Sequence, residues 1–240
     1  MGTPGRKTKR RPLTLLQFRQ RLLLLLGLAM AVLFGVCRVS RPHSALKSRP
    51  TEPPTAVATL PDPPGIILHH SNTPGRVHGR LVDEKLLDRI HKADHPGWAI
   101  EYKGKTYHIG YHYVILANGE IQAGRPEHCQ GAHCPKHNNC IGICLVGAFS
   151  TADPAGWKPR VPTKLQMASL YLLCEKLMTK YHIPPENVRR HRDLRMTWCP
   201  GGRFPYDKVI HDLRIYADAH PEVRIGARPM APTTPPSPKA

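Results

Sequence analysis

Acidic side chains are scarce in this sequence. Seventeen Asp and Glu stand against 35 Lys and Arg, a net charge of +18 over 240 residues. The shortage is uneven: residues 1–49 hold no acid and carry eleven basic residues, from Arg6 to Arg49. Subtracting those eleven leaves +7 for the other 191 residues. A domain so mildly basic lacks the charged face that a nucleic-acid binder needs, and no nucleic-acid partner is expected. The charge suits work near an anionic polymer or a membrane surface. Also missing is any paired C-x-x-C, which argues against a metal site at Cys129, Cys134 and Cys140 with the nearby His128, His133 and His137. There is no internal repeat and no Gly-rich phosphate loop. The latter matters because HRDL (191–194) matches the start of a protein-kinase catalytic loop; with Trp198 where that loop needs Asn, the kinase reading fails.

A long apolar run is lacking too. The longest, LLLLLGLAMAVLFGV, covers residues 22–36, short of the roughly 20 residues that span a bilayer. It follows a basic flank, residues 1–21, which would stay in the cytoplasm if the run is an uncleaved signal anchor. A cleaved secretory signal fits the length, but no small-x-small site follows it. A lipid on Cys37 would follow Val36, a poor residue for that position, and KRRP (9–12) is a faint twin-arginine pattern. Every reading of segment 22–37 places the rest of the chain across a membrane, tethered there or secreted, in an oxidising space.

Residues 38–64 are Pro-rich and read as an extended tether. Residues 223–240, ending PMAPTTPPSPKA, read as a disordered tail. One folded domain is left, 65–222. In it GIILHH (65–70) is a buried strand delivering His69 and His70 at its end. VDEKLLDRIHKA (82–93) is a helix, closed by Pro96-Gly97. YHYVILANGEIQAG (111–124) is a hairpin turning at Asn118-Gly119, and IGICLVGAF (141–149) is another buried strand. Thr163 with Gln166 makes a capping box for a helix whose core stripe includes Leu170, Cys174, Leu177 and Tyr181. A last helix covers about 205–219. Strands interleaved with three helices give an α/β domain on one central sheet.

The chemistry concentrates in HRDLRMTWCPGG (191–202). Imidazole and thiolate are the donors that zinc prefers, and a catalytic zinc takes three protein ligands and leaves a fourth position for water. His191 and Cys199 supply two; His69 or His70 supplies the third. A competing arrangement pairs Cys199 with a histidine as an activated thiol, but no helix N-terminus starts at Cys199 to lower its pKa. Asp193 reads as a residue that holds the loop, and Arg125 as a solvated hairpin charge, with contact to a peptide carboxylate as the alternative. Cys144 and Cys174 read as small core residues.

Four motifs in order, GIILHHSNT, HIGYHYVILANGEIQAGR, GAHCPKHNNCIGICLVG and HRDLRMTWCPGG, resemble the zinc-dependent N-acetylmuramoyl-L-alanine amidase family, which includes phage endolysins and animal peptidoglycan-recognition proteins. The resemblance covers 65–218. It implies a central mixed sheet flanked by helices, one zinc ion in a surface cleft, and cleavage of the amide joining N-acetylmuramic acid to L-alanine in peptidoglycan. It assigns His69, rather than His70, with His191 and Cys199 as zinc ligands. Tyr111 matches the catalytic tyrosine. Thr197 stands where phage members carry lysine and many recognition-protein amidases carry threonine, and shares the catalytic role. His133 would line the cleft and meet substrate. A monomer acting on peptidoglycan or muropeptides outside the cytoplasm is expected. An oxidising compartment also favours a disulfide between Cys134 and Cys140. Two other functions compete: a peptidoglycan-binding or sensing module without turnover, and a metal-free Cys-His wall hydrolase.

Overall fold

The middle of the sheet is built from residues with no polar alternative. In the computed structural model, which describes residues 59–151 and 160–230, the chain runs β1 (Ile66–His70), β2 (Arg76–Val77), β3 (Arg80–Leu81), α1 (Glu84–Asp94), β4 (Ile100–Tyr102), β5 (Lys105–Tyr107), β6 (Tyr113–Ile115), β7 (Ile121–Ala123), β8 (Ile141–Leu145), α2 (Lys164–Tyr181), β9 (Val188–Arg190), the short turn α3 (His191–Leu194) and α4 (Tyr206–Ala219). Five strands form one sheet in the order β7-β6-β8-β1-β9. Every residue of β1 and β8 is buried, as expected of parallel strands covered on both faces. β1 lies parallel to β8 and β9, β6 parallel to β8, and only β7 runs antiparallel. The fold is thus a mixed sheet with flanking helices. Two short ribbons, β2–β3 and β4–β5, stand apart from it.

Side chains alternate across the sheet. Ile66 and Leu68 face one core with Ile143, Leu170, Leu177, Val209 and Leu213, which α2 and α4 cover. Ile67 faces the other side, with Cys134, Cys140 and Leu194. His69 shares that second side and His70 does not. α2 starts at the expected box: Thr163 accepts from the Gln166 N–H, and the Gln166 side chain reaches back to the Thr163 N–H. Gln166 is buried and its amide donates to the carbonyls of Ile115 and Val146, stitching the helix to the sheet. Gly119, at φ 87, makes the hairpin turn where Asn118-Gly119 suggests one.

Packing runs beyond residue 222, where the tail was expected to begin. Val223 is fully buried, the Arg228 carbonyl accepts from Asn187, and Met230 packs against the Ile67–Cys134–Cys140–Leu194 cluster. Val223 and Met230 give this stretch something to bury despite its prolines, while Ile225 stays exposed. Among the described residues no helix is long and apolar enough to cross a membrane. Segment 22–37, on which the anchor expectation rests, lies outside them, as do residues 231–240.

Candidate metal centre

β1 and β9 pair in parallel, with Leu68 opposite Arg190. One residue further on stand His69, still in β1, and His191, which opens α3 directly after β9, at the carboxyl ends where α/β sheets place their ligands. Their rings lie 4.6 Å apart between centroids. Cys199 returns to the same spot because the loop after α3 closes on itself: the Arg192 N–H donates to the Cys199 carbonyl at 2.9 Å. Asp193 braces the entry to this turn, taking hydrogen bonds from the Arg190 guanidinium at 2.8 Å and the Arg190 N–H at 3.0 Å.

The structure therefore brings His69, His191 and Cys199 together, each offering one ligand atom, all within 4.8 Å of one another. His69 Nδ1 is 3.6 Å from Cys199 Sγ. Zinc bonds of about 2.0–2.3 Å in tetrahedral array set neighbouring donors roughly 3.3–3.7 Å apart, so the set fits zinc with small adjustment. Two imidazoles and one thiol, with no fourth protein donor among the described residues, are the composition of a site that keeps a position open for chemistry. His70 takes no part. Its ring Nδ1 accepts from the Phe149 N–H at 3.1 Å, while its backbone N–H points back and donates to Cys199 Sγ at 3.3 Å.

Burial sets the protonation of these groups. Desolvation, with His133 and His191 nearby, holds the His69 imidazole well below its ordinary value. Desolvation, then the Arg195 charge, lowers His191 to about 4. Both rings are neutral, as ligands must be. The Cys199 thiol is pushed up to about 12 by burial, opposed by the hydrogen bond from the His70 N–H. It is not a pre-formed thiolate, which counts against the metal-free Cys-His arrangement.

Tyr111 packs its ring 5.2 Å from that of His69. Burial, and then the Cys144 and Cys199 thiols, raise the Tyr111 phenol well above its ordinary value, so it stays protonated, with the Cys144 thiol as its hydrogen-bond partner. Thr197 Oγ1 accepts from the Cys199 N–H at 3.3 Å, which leaves its own O–H to donate elsewhere. Thr197, His191 and His133 line one cavity of about 370 Å³ together with Trp98, Asn138 and Arg195. His133 is buried, with Nδ1 3.0 Å from His69 Nε2. Trp98, Asn138 and Arg195 were not singled out in the sequence, where nothing marks them.

Two sequence readings are corrected. Arg125 is not solvated: it is 3% exposed and its guanidinium donates to the carbonyls of Ile109, Trp98 and Gln130. Burial lowers it only to about 10, so it remains a cation tying the hairpin to the cavity wall. Cys134 and Cys140 share one buried cluster, yet both are free thiols and the expected bond between them is not made. Burial pushes Cys134 up to about 11 and Cys140 to about 12, and the Cys140 thiol is turned toward Asn139. Cys144 and Cys174 are buried core thiols, as read.

Residues 59–202 match the N-acetylmuramoyl-L-alanine amidase family. The endolysin of Enterobacteria phage T3 is 38% identical over 93 residues, 38% of this chain and 58% of the endolysin. Among solved structures, the amidase endolysin LysCS of Clostridium intestinale is 33% identical, with a TM-score of 0.51 over 63% of this chain and 84% of that one. A variant of Drosophila PGRP-LB in complex with tracheal cytotoxin is 28% identical, with a TM-score of 0.51 over 65% and 85%. The chain spans a little over half the length of the curated relatives it matches first. The strand-end histidine, the HRD histidine and the TWCPG cysteine converge within a fold and a sequence match that agree: the chain belongs to the N-acetylmuramoyl-L-alanine amidase family.

Proposed function

We propose that this chain is a zinc-dependent hydrolase that cleaves the amide between the lactyl group of N-acetylmuramic acid and L-alanine in peptidoglycan. The observation that carries this reading is the neutral His69–His191–Cys199 donor set, which reaches a cavity through His191, with the Tyr111 ring packed against His69. Zinc, when bound, supplies Lewis acidity that polarises the amide carbonyl and makes water nucleophilic at neutral pH. The chain's own residues then have separate tasks. Water adds to the lactyl carbonyl carbon, the C–N bond breaks, and the amine of L-alanine takes the proton. Tyr111, held neutral, donates to negative charge that develops on the carbonyl oxygen or to the departing amine. Thr197 offers its spare O–H into the cavity. Trp98 and Met196 give the cavity apolar walls against which a sugar or peptide backbone can lie.

The named activity of LysCS and the tracheal cytotoxin bound by PGRP-LB, a muropeptide, support this substrate class. We also place the domain outside the cytoplasm, held by segment 22–37, a localisation that reporter fusions at residues 21 and 60 would test. For the activity, the full chain is stripped with a chelator and assayed on muropeptides before and after zinc is restored. Loss and recovery in the wild type, with no recovery in Cys199→Ser, support the proposal. Turnover that survives chelation supports the metal-free hydrolase. Binding without turnover supports the recognition module.

A further inference from the structure

Beyond lining the cavity, His133 has a ring whose two nitrogens are both spoken for. Its Nε2 lies 3.1 Å from the carbonyl oxygen of Cys140 and its Nδ1 lies 3.0 Å from His69 Nε2. A carbonyl oxygen carries no hydrogen, so His133 Nε2 is the donor of the first bond. The ring is buried among those of His69, Tyr111 and His112, and among the described residues no carboxylate hydrogen-bonds it, so it is a neutral imidazole. A neutral imidazole has one N–H, so His133 Nδ1 bears a lone pair. His69 Nε2 must therefore carry the hydrogen of the second bond. His69 Nδ1 is left with its lone pair directed at the side where Cys199 Sγ stands, 3.6 Å away.

We propose that His133, oriented by the Cys140 carbonyl, is a positioning residue that fixes His69 as the tautomer whose Nδ1 faces the metal. The inference rests on the zinc reading above but concerns a different event, one that exists before any metal arrives. The seat is built for this ring. A Cβ on Gly131 would stand 2.4 Å from His133 Cδ2, and one on Gly142 2.6 Å from the same atom. Asn138 Oδ1 accepts from the backbone N–H groups of His133 at 3.0 Å and Cys134 at 2.8 Å, which holds the loop that carries the ring. The Cys140 carbonyl follows from position, since Ile141 begins β8 beside β1. The order from Cys140 through His133 to His69 is one of orientation. It transfers no net proton.

A free histidine divides its hydrogen between two nitrogens, so a ligand held in one form binds metal more tightly and in one geometry. Loss of such an outer hydrogen-bond partner lowers metal affinity by about 10- to 100-fold. The test uses the full chain in two measurements. Long-range proton–nitrogen NMR of the ¹⁵N-histidine protein, metal-free at neutral pH, reads which ring nitrogen of His69 carries hydrogen. Chelator competition then gives zinc affinity for the wild type, His133→Phe, which keeps the ring shape without an acceptor, and His133→Asn, whose amide oxygen can take the place of Nδ1. The expected results are an Nε2–H form of His69 in the wild type, a 10- to 100-fold loss of affinity in His133→Phe, and recovery of most of it in His133→Asn. An Nδ1–H form of His69 in the wild type overturns the inference, as does zinc affinity in a folded His133→Phe within twofold of wild type. If His133→Phe does not fold, the wild-type spectrum still decides. A wild type that shows the Nε2–H form yet binds no zinc defeats the zinc reading and leaves the tautomer assignment standing.

Discussion

Zinc binding to this site should release one proton from its protein ligands, that of Cys199. The perturbation is pH, applied to the metal-free chain in competition with a chelator of known proton dependence. Each ligand must lose its proton before it binds. His191 titrates near 4 and His69 is held well below its ordinary value, so both are already neutral above about pH 5.5. The Cys199 thiol, pushed up to about 12, is still protonated. Apparent affinity should then rise tenfold per pH unit from about pH 5.5 to 6.5, below the range where zinc-bound water itself loses a proton. At pH 7 the thiol lies about five units below its own titration, a cost of about 7 kcal/mol that the Zn–S bond must exceed. In Cys199→Ser the affinity falls and this slope disappears with the thiol. A slope of two or three below pH 6.5 would refute the reasoning, because the histidines would then be titrating at ordinary values. A slope of zero would refute it from the other side, because Cys199 would already be a thiolate.

Three further outcomes follow from the same geometry. Arg125→Ala strips the donor from three carbonyls and should cost about 3–5 kcal/mol, lowering the thermal midpoint by about 10 °C; Arg125→Lys, a compact donor without the planar fork, should recover part of that loss, and a midpoint unmoved in Arg125→Ala would disprove the tie. The metal-free protein should weaken in mild acid: burial lowers His112 to about 4, so between about pH 6.5 and 4 the unfolded chain binds the proton and the folded one does not, and stability falls with pH by up to about 3 kcal/mol from this ring, with His91 acting in the same direction. Urea unfolding at pH 7 and pH 4.5 checks it, and equal stabilities would contradict it. Tyr111→Phe should lower turnover on muropeptides at least about 100-fold while zinc affinity stays within twofold; a normal rate would remove the tyrosine from the mechanism.

Much of this was legible because apolar patterning and cap chemistry act locally. The runs at 66–68 and 141–145 are unbroken apolar stretches with no polar residue to show water, so they read as central strands. Thr163 and Gln166 announce a helix start on their own. The choice of His69 over His70 needed the family motif, but the structure gives its physical cause in the two-residue period of β1, which sends adjacent side chains to opposite faces. What stayed hidden depends on partners remote in sequence. Arg125 reads as a surface charge because the carbonyls that receive it belong to residues 98, 109 and 130, and a carbonyl leaves no mark in a sequence. The three-residue strand β9 is too short for a period to register, yet its pairing with β1 is what sets His191 beside His69. His133 was noticed as a cleft residue; its bond to His69 depends on Gly131 and Gly142 leaving room for the ring. The packing of Val223 and Met230 was masked by the prolines around them.

The central claim is a bond cleaved in a particular polymer, and the most direct measurement is product identity. The full chain, loaded with zinc, is given a defined muropeptide and the products are read by mass spectrometry. The account predicts an intact N-acetylmuramic acid sugar with a free lactyl carboxylate, together with the whole stem peptide bearing a free amino group on L-alanine. Neither should form with Cys199→Ser. Cleavage within the stem peptide or the glycan, or no cleavage of a muropeptide that the zinc-loaded chain binds, would contradict it.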